Sequence, residues 1–479
     1  MGTNTVEKKN NTNYIPYAIV LAFCFLFRFI PPIGPLTPMG MGFIGTFIGA
    51  IYGWTVIDMF FPSMAALLGV ATLIGINPLL TAGFGNFTIM GMMLIFMVMG
   101  VCTELGVVSW IVDKLLRIKI FVGKPWFMIW FFMFASIIFG MFGAVFLIVI
   151  VLQFMVTIFE KIDAKPYTEL PLYIIVGIVF CMSMGQVVFP YMGIAIVLVQ
   201  AYQAMAQTTL NIVQFIGFTF PIAISLSVVY VLLMRFVFRV DITPFKNITA
   251  ETLGESMAIT KDQKKGLYCL LAMFAFMFCG AVPFLGPIYK ICSFLTMFGV
   301  PLIILMVMMI LKREDGTPLV NMRACGAYVS WDMIFLTAYI LVMSNYLTSP
   351  DTGIAAALNM LLAPLTQFSP WIFIVGVLIF TAVITNVANN LVLTIVVMPF
   401  VVTFLSQVSG LPSEGLIYLL FFTCSLAICT PGGSVLCAAA FARSDYIKPP
   451  QMLKTTMKIF PFLLAMELLI GIPLAILLF

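Results

Sequence analysis

Between residues 370 and 406 an otherwise apolar stretch carries Thr381, Thr385, Asn386, Asn389 and Asn390. Hydrocarbon satisfies none of the donors and acceptors on three side-chain amides and two hydroxyls, so the fold itself must do so. These residue types suit a break between helices. There, amides and free helix N-terminal N–H groups hold an anion, while carbonyl and hydroxyl oxygens hold a small cation. Interhelical hydrogen bonding that glues spans together is the alternative use of the same groups. A second constellation follows at Cys429-Thr430-Pro431-Gly432-Gly433-Ser434. A proline with two glycines unwinds a helix and frees backbone carbonyls, with a packing kink as the plainer reading. Earlier in the chain, Ser183-Met184-Gly185-Gln186 and Pro190 repeat that layout with fewer polar atoms.

Carboxylates inside apolar segments are functional candidates by default. Glu104 and Glu467 are the best placed, and Asp58 and Asp332 lie near span ends. Such a group couples protons or sodium to transport, or it simply pairs with a cation such as Arg28. The chain has no histidine, which removes the usual metal ligand and the usual near-neutral proton relay. Its ten cysteines lack paired spacing and sit mostly in apolar runs, so disulfides and zinc sites are not expected. No Ser/His or Cys/His pair exists to serve an enzyme. No ring-forming filter sequence suggests a channel.

The elements that position these residues must be membrane-embedded. Of 479 residues 63% are hydrophobic and only 9% charged, with a mean hydropathy of +1.17. This excludes soluble enzymes, nucleic-acid binders and coiled coils. At about 20 residues per span, roughly 300 apolar positions allow on the order of ten crossings. Apolar stretches predict eleven: 14–31, 41–57, 60–77, 86–110, 171–202, 209–238, 265–284, 291–311, 329–348, 414–441 and 457–479. The polar N-terminus shows no cleavage site after its apolar run, so the first span is expected to be retained. Tyr14, Tyr17, Trp110, Trp126 and Trp371 are expected as interfacial belt residues.

Two further stretches, 126–159 and 370–406, are too long for one crossing and too short for two. Each has small or polar residues at its middle, Gly140 to Gly143 and Thr385 to Asn390, which predicts two opposed re-entrant hairpins. With the N-terminus inside, all but Arg28 and Lys290 of the 23 lysines and arginines fall on the cytoplasmic side. The C-terminus then lies outside, and five crossings between the hairpins invert the second relative to the first. Cys181 and Ser183 are echoed by Cys424 and Ser425, and Pro190 by Pro431, at a spacing of about 242 residues. Hairpin, polar loop and broken span thus recur as an inverted repeat in an all-α polytopic membrane protein. That is the architecture of a secondary transporter with its site at the midplane.

In this order of parts the sequence resembles the divalent anion:sodium symporter family of the ion transporter superfamily. Its members carry two Ser-Asn-Thr hairpin tips and two unwound Thr-Pro loops. Here Thr385-Asn386-Val387 stands at the second tip and Cys429-Thr430-Pro431-Gly432 at the second loop, while Phe139-Gly140-Met141 replaces the first tip motif. The resemblance implies a homodimeric elevator. Residues 1–125 (spans 1–4) and 241–365 (spans 7–9) would form the scaffold. Residues 126–240 (cytoplasmic-side hairpin, spans 5–6) and 366–479 (outer-side hairpin, spans 10–11) would form the transport domain. Carried over, Thr381, Asn386, Ile428 and Pro431 would hold a sodium ion. Thr385, Asn386, Val387, Asn389, Thr430 and Pro431 would meet the substrate, with Gly140 and Gly143 approaching from the first tip. The lost first motif implies fewer sodium ions per cycle.

The expected function is a sodium-driven secondary transporter of small organic anions, carboxylates above all, in a bacterial inner membrane. It needs no cofactor beyond the coupling ion and no nucleic acid. A cation/proton antiporter or an inorganic oxyanion permease of the same superfamily is the alternative.

Overall fold

The computed structural model describes residues 14–118, 122–249, 251, 254, 257–280, 285–347, 349–362, 364, 369–443 and 445–479. Lys8, Lys9 and Lys119 of the expected cytoplasmic set lie outside them. Among the described residues the protein is helical throughout, with one isolated bridge between Lys312 and Pro318. Four helices among the described residues are long and apolar enough to cross a membrane, and seven if each of three bent pairs counts as one span. Seven more apolar helices are 10–17 residues long. Helices and crossings therefore do not correspond one to one, and the eleven crossings stay an expectation from sequence.

The chain divides into two compact units, Met1–Gly83 with Trp331–Ala357, and Phe84–Ser330 with Leu358–Phe479. The first contains α1 (Ile15–Leu26), α2 (Pro38–Val56), α3 (Phe60–Ile74), α4 (Ile76–Ala82) and the helix Trp331–Leu347. Local chemistry starts these helices. Thr37 accepts from Gly40 N–H and Pro38 occupies the first turn of α2, while Asp58 accepts from the N–H groups of Phe60 and Phe61 at α3. The buried Tyr339 hydroxyl meets that of Thr46 at 3.2 Å, so a polar contact is satisfied inside an otherwise apolar packing.

The second unit holds both candidate hairpins. It runs through α5 (Phe87–Glu104), α6 (Val107–Leu116), α7 (Pro125–Lys161), α8 (Glu169–Gly185), α9 (Ala195–Ala206) and α10 (Ile212–Leu232). Then follow α11 (Lys261–Cys279), α12 (Pro287–Ile310), α13 (Pro370–Ile384), α14 (Asn390–Gln407), α15 (Ser413–Ser425), α16 (Val435–Phe441) and α17 (Pro449–Leu478). Although α7 is a continuous helical run, it is not straight. At 1.5 Å per residue a straight helix would hold Phe132 and Phe154 about 33 Å apart, whereas their rings lie 6.5 Å apart. The chain therefore doubles back between them, around the expected Gly140–Gly143 segment. In the second half, Phe373 on α13 stacks on Phe404 of α14 at 3.9 Å, which closes the other fold-back around Thr385–Asn389.

Two of the apolar stretches expected to be broken are interrupted. The gap between α8 and α9, residues 186–194, equals in length the gap between α15 and α16, residues 426–434. Each half also reaches into the other. Helix α16, which follows the second break, packs on the first hairpin α7 and on α8. Helix α9, which follows the first break, packs on α14 of the second hairpin. This reciprocal exchange is what an internal repeat related by a two-fold axis produces.

Candidate functional site

Asn386 is the hub of the second hairpin tip. Its Oδ1 accepts from the backbone N–H groups of Ile428 (3.0 Å) and Cys429 (2.8 Å), and its Nδ2 donates to the Ala382 carbonyl at 2.8 Å. The Thr430 hydroxyl donates to the Asn386 main-chain carbonyl. One residue earlier, the Thr385 hydroxyl donates 2.8 Å to the Cys424 carbonyl at the end of α15. Asn390 N–H donates to the Gly433 carbonyl at 3.2 Å. The close fit requires glycine at 433, because a Cβ there would stand 2.6 Å from the Thr385 carbonyl. Tip and unwound loop thus form one hydrogen-bonded body. Its members come from the segment pair that the sequence singled out.

This arrangement changes the role of several residues. The side-chain oxygen and nitrogen of Asn386 are both engaged by the chain, so the residue fastens tip to loop. Asn389 caps α14, accepting from Leu391 and Val392 N–H, as its residue type favours. Ile428 is buried, with its N–H on Asn386 and its carbonyl receiving the Cys437 thiol. Val387, at 70% relative exposure, and Pro431 face outward from the tip and loop. Gly140 is packed against the Met182 carbonyl and Gly185 Cα of α8, so its missing side chain serves helix approach within the first half. Gly143 lies in α7, and its surroundings fall outside the described residues.

Two buried hydroxyls break the usual habit. Ser136, Thr394, Thr423 and Ser425 each donate to the carbonyl four residues back. Thr381 and Ser183 are fully buried and have no hydrogen-bond partner among the described residues. An orphaned buried hydroxyl calls for an explanation, an ion or water being the common one. Thr381 lies one turn before the tip, at the C-terminal end of α13, where helix carbonyls carry partial negative charge. Ser183 is its counterpart beside the first break. A cavity of about 400 Å³ adjoins that break, lined by Met141, Phe189, Met192, Phe274, Ala275 and Phe278. Its wholly apolar lining was not foreseen from sequence, since the residues come from three separated segments.

The candidate acids separate clearly. Glu104 pairs with Arg313 at 2.7 Å and accepts the Tyr328 hydroxyl, so it has the structural partners of an ordinary ion pair. Arg28 instead donates to Thr72 at 3.0 Å. Glu467 is fully buried, accepts the Thr423 hydroxyl through Oε1 at 2.7 Å, and leaves Oε2 without a partner. No group of His, Cys, Asp or Glu able to hold a metal exists among the described residues.

Paired fold-backs, paired breaks and reciprocal packing define an all-helical polytopic membrane transporter. The chain belongs to the citrate transporter family, whose model matches residues 47–423, in keeping with the superfamily that the sequence resemblance named. No curated protein sequence matches it significantly. Among solved structures it is similar to the YdaH transporter of Alcanivorax borkumensis, described as having an unusual topology. The likeness is 14% in identity with a TM-score of 0.53, covering 84% of this chain and 88% of that one, and it shows a shared fold.

Proposed function

We propose that the protein is a secondary active transporter that carries a citrate-type carboxylate across the membrane, driven by sodium. The observation that carries this reading is the second tip-and-loop body, with the orphaned Thr381 hydroxyl beside it. An oxygen without a partner at a helix C-terminus suits a hard cation, and membership of the citrate transporter family supports a citrate-type substrate. Thr430, Val387 and Pro431 line the surface from which a carboxylate would be gripped, and the buried Thr385 fastens that surface to the end of α15. The first half supplies an apolar wall, so the substrate is anchored mainly from the second half and one cation site dominates.

The movement proposed is an elevator. Residues 126–240 and 366–479 travel as the transport domain against a scaffold of 1–125 and 241–365, and the scaffold forms the homodimer contact. The protein sits in a bacterial inner membrane with its N-terminus in the cytoplasm and its C-terminus outside. Labelled citrate uptake into proteoliposomes tests the reading. Accumulation that requires an inward sodium gradient and vanishes with potassium supports it. Absence of citrate uptake and of citrate exchange under every cation gradient would refute it.

A further inference from the structure

Glu467 is the buried charge-bearing group that the proposed function leaves unused. It lies on α17 between Pro461 and Pro473, and α17 runs antiparallel along α15. Gly415 opposes Ala475, Leu419 opposes Gly471, and Thr423 opposes Glu467, each one turn further on. The carboxyl therefore sits at the last turn of α15, immediately before the unwound loop at 426–434. The next residue, Cys424, gives its carbonyl to Thr385 of the hairpin tip. Helix α17 also packs directly on α13, the hairpin arm that carries Thr381.

The Thr423 hydroxyl has one hydrogen and two acceptors, the Leu419 carbonyl at 2.9 Å and Glu467 Oε1 at 2.7 Å. A carboxylate is the stronger acceptor, because a charge-assisted hydrogen bond is roughly twice as strong as a neutral one. When the carboxyl is neutral it is the weaker acceptor, and the Leu419 carbonyl competes better for the hydroxyl. The other oxygen, Oε2, is buried with no partner, so in either state a proton or its acceptor is missing from this side. Surrounding charge does not fill the gap, since none of the ion pairs formed among the described residues involves Glu467. Of the packed elements, α15 carries Glu414, Tyr418 and Cys424, with Cys424 near enough for charge coupling. Helix α10 carries Tyr230, α8 carries Glu169, Tyr173 and Cys181, and α13 carries no titratable group.

We propose that Glu467 is a membrane-embedded protonation site that sets the state of the second hairpin through Thr423, Cys424 and Thr385. One proton adds to Oε2, converting the carboxylate to the acid and moving one positive charge. It leaves from the same oxygen when the site opens to the other face. This rests on the transport reading above and adds a proton to its cycle.

The test uses the whole protein in proteoliposomes, with sodium equal on both sides and the membrane potential clamped. Two quantities are read for wild type, Glu467→Gln, Glu467→Asp and Thr423→Val: citrate exchange at symmetrical pH, and citrate accumulation driven by a pH gradient. Wild type is expected to accumulate citrate when the outside is acid. Glu467→Gln should lose about tenfold or more of that accumulation while exchange falls far less, a coupling of ordinary size between linked sites. Glu467→Asp should keep it, and Thr423→Val should weaken it. Wild-type exchange without any pH-driven accumulation, or an unaltered pH response in Glu467→Gln, overturns the inference. Failure of wild-type exchange itself would instead strike the transport reading. Should Glu467→Gln not fold, infrared difference spectra of wild type and Glu467→Asp still decide. A carboxylic C=O band that appears on acidification and shifts in the aspartate variant is expected, and its absence overturns the proposal.

Discussion

Replacing Asn386 with alanine should uncouple the second hairpin from the loop it holds. The side chain makes three hydrogen bonds at 2.8–3.0 Å, two of them accepted from Ile428 and Cys429 N–H. Those residues are 0% and 6% exposed, so truncation strands two buried donors. Each unsatisfied buried group costs about 1–3 kcal/mol, while side-chain hydrogen bonds within membranes average about 0.6 kcal/mol. Two stranded donors therefore cost about 2–4 kcal/mol, allowing for partial relaxation. Asn386→Asp keeps an acceptor for both N–H groups but replaces the donor to Ala382 with an acceptor facing that carbonyl. Thermal unfolding of the ligand-free protein and citrate uptake are measured on both variants. The expected order of stability is wild type, then Asn386→Asp, then Asn386→Ala, with uptake lost in the alanine variant. Loss of uptake at unchanged stability would show that the amide binds ligand without tying tip to loop, and would refute the reasoning.

Other consequences follow from single features. Thr381→Val removes an orphaned hydroxyl at nearly constant volume; it should raise the sodium concentration for half-maximal uptake about tenfold, since a bond to a charged group contributes about 1.5–3 kcal/mol, and should leave unfolding temperature unchanged or higher. Gly140→Ala places a methyl against the Met182 carbonyl and Gly185 Cα; overpacking of this kind costs about 1–3 kcal/mol, read as a lower unfolding temperature without a changed sodium dependence. Cysteine labelling should modify Ser413→Cys from outside and Lys264→Cys only after permeabilisation, and the reverse pattern would invert the topology.

How far the sequence disclosed this site depends on the physics of each residue. The second tip was legible because asparagine and threonine in hydrocarbon demand partners, and the second break because Pro431-Gly432-Gly433 does not continue a helix. The first fold-back was legible from the stretch's length and the small residues Gly140 and Gly143 at its middle, and the 132/154 ring pair shows it. The partners of Asn386 were not legible, because its bonds to 428 and 429 depend on how two segments dock. The same applies to Glu104, whose cation Arg313 is 209 residues away in sequence. Gly140 suggested ligand approach, but glycine serves close helix packing equally well. Only docking shows that the carbonyl of Met182 fills the space.

The most direct test of the second-half site is the reactivity of Val387→Cys toward a maleimide. Val387 is 70% exposed at the tip, and nine of the ten native cysteines are buried, so only Cys279 needs replacement. With sodium present, citrate should slow modification of Val387→Cys in a saturable way, and potassium in place of sodium should abolish that protection. Modification at the same rate with and without saturating citrate would place the substrate elsewhere and contradict the account.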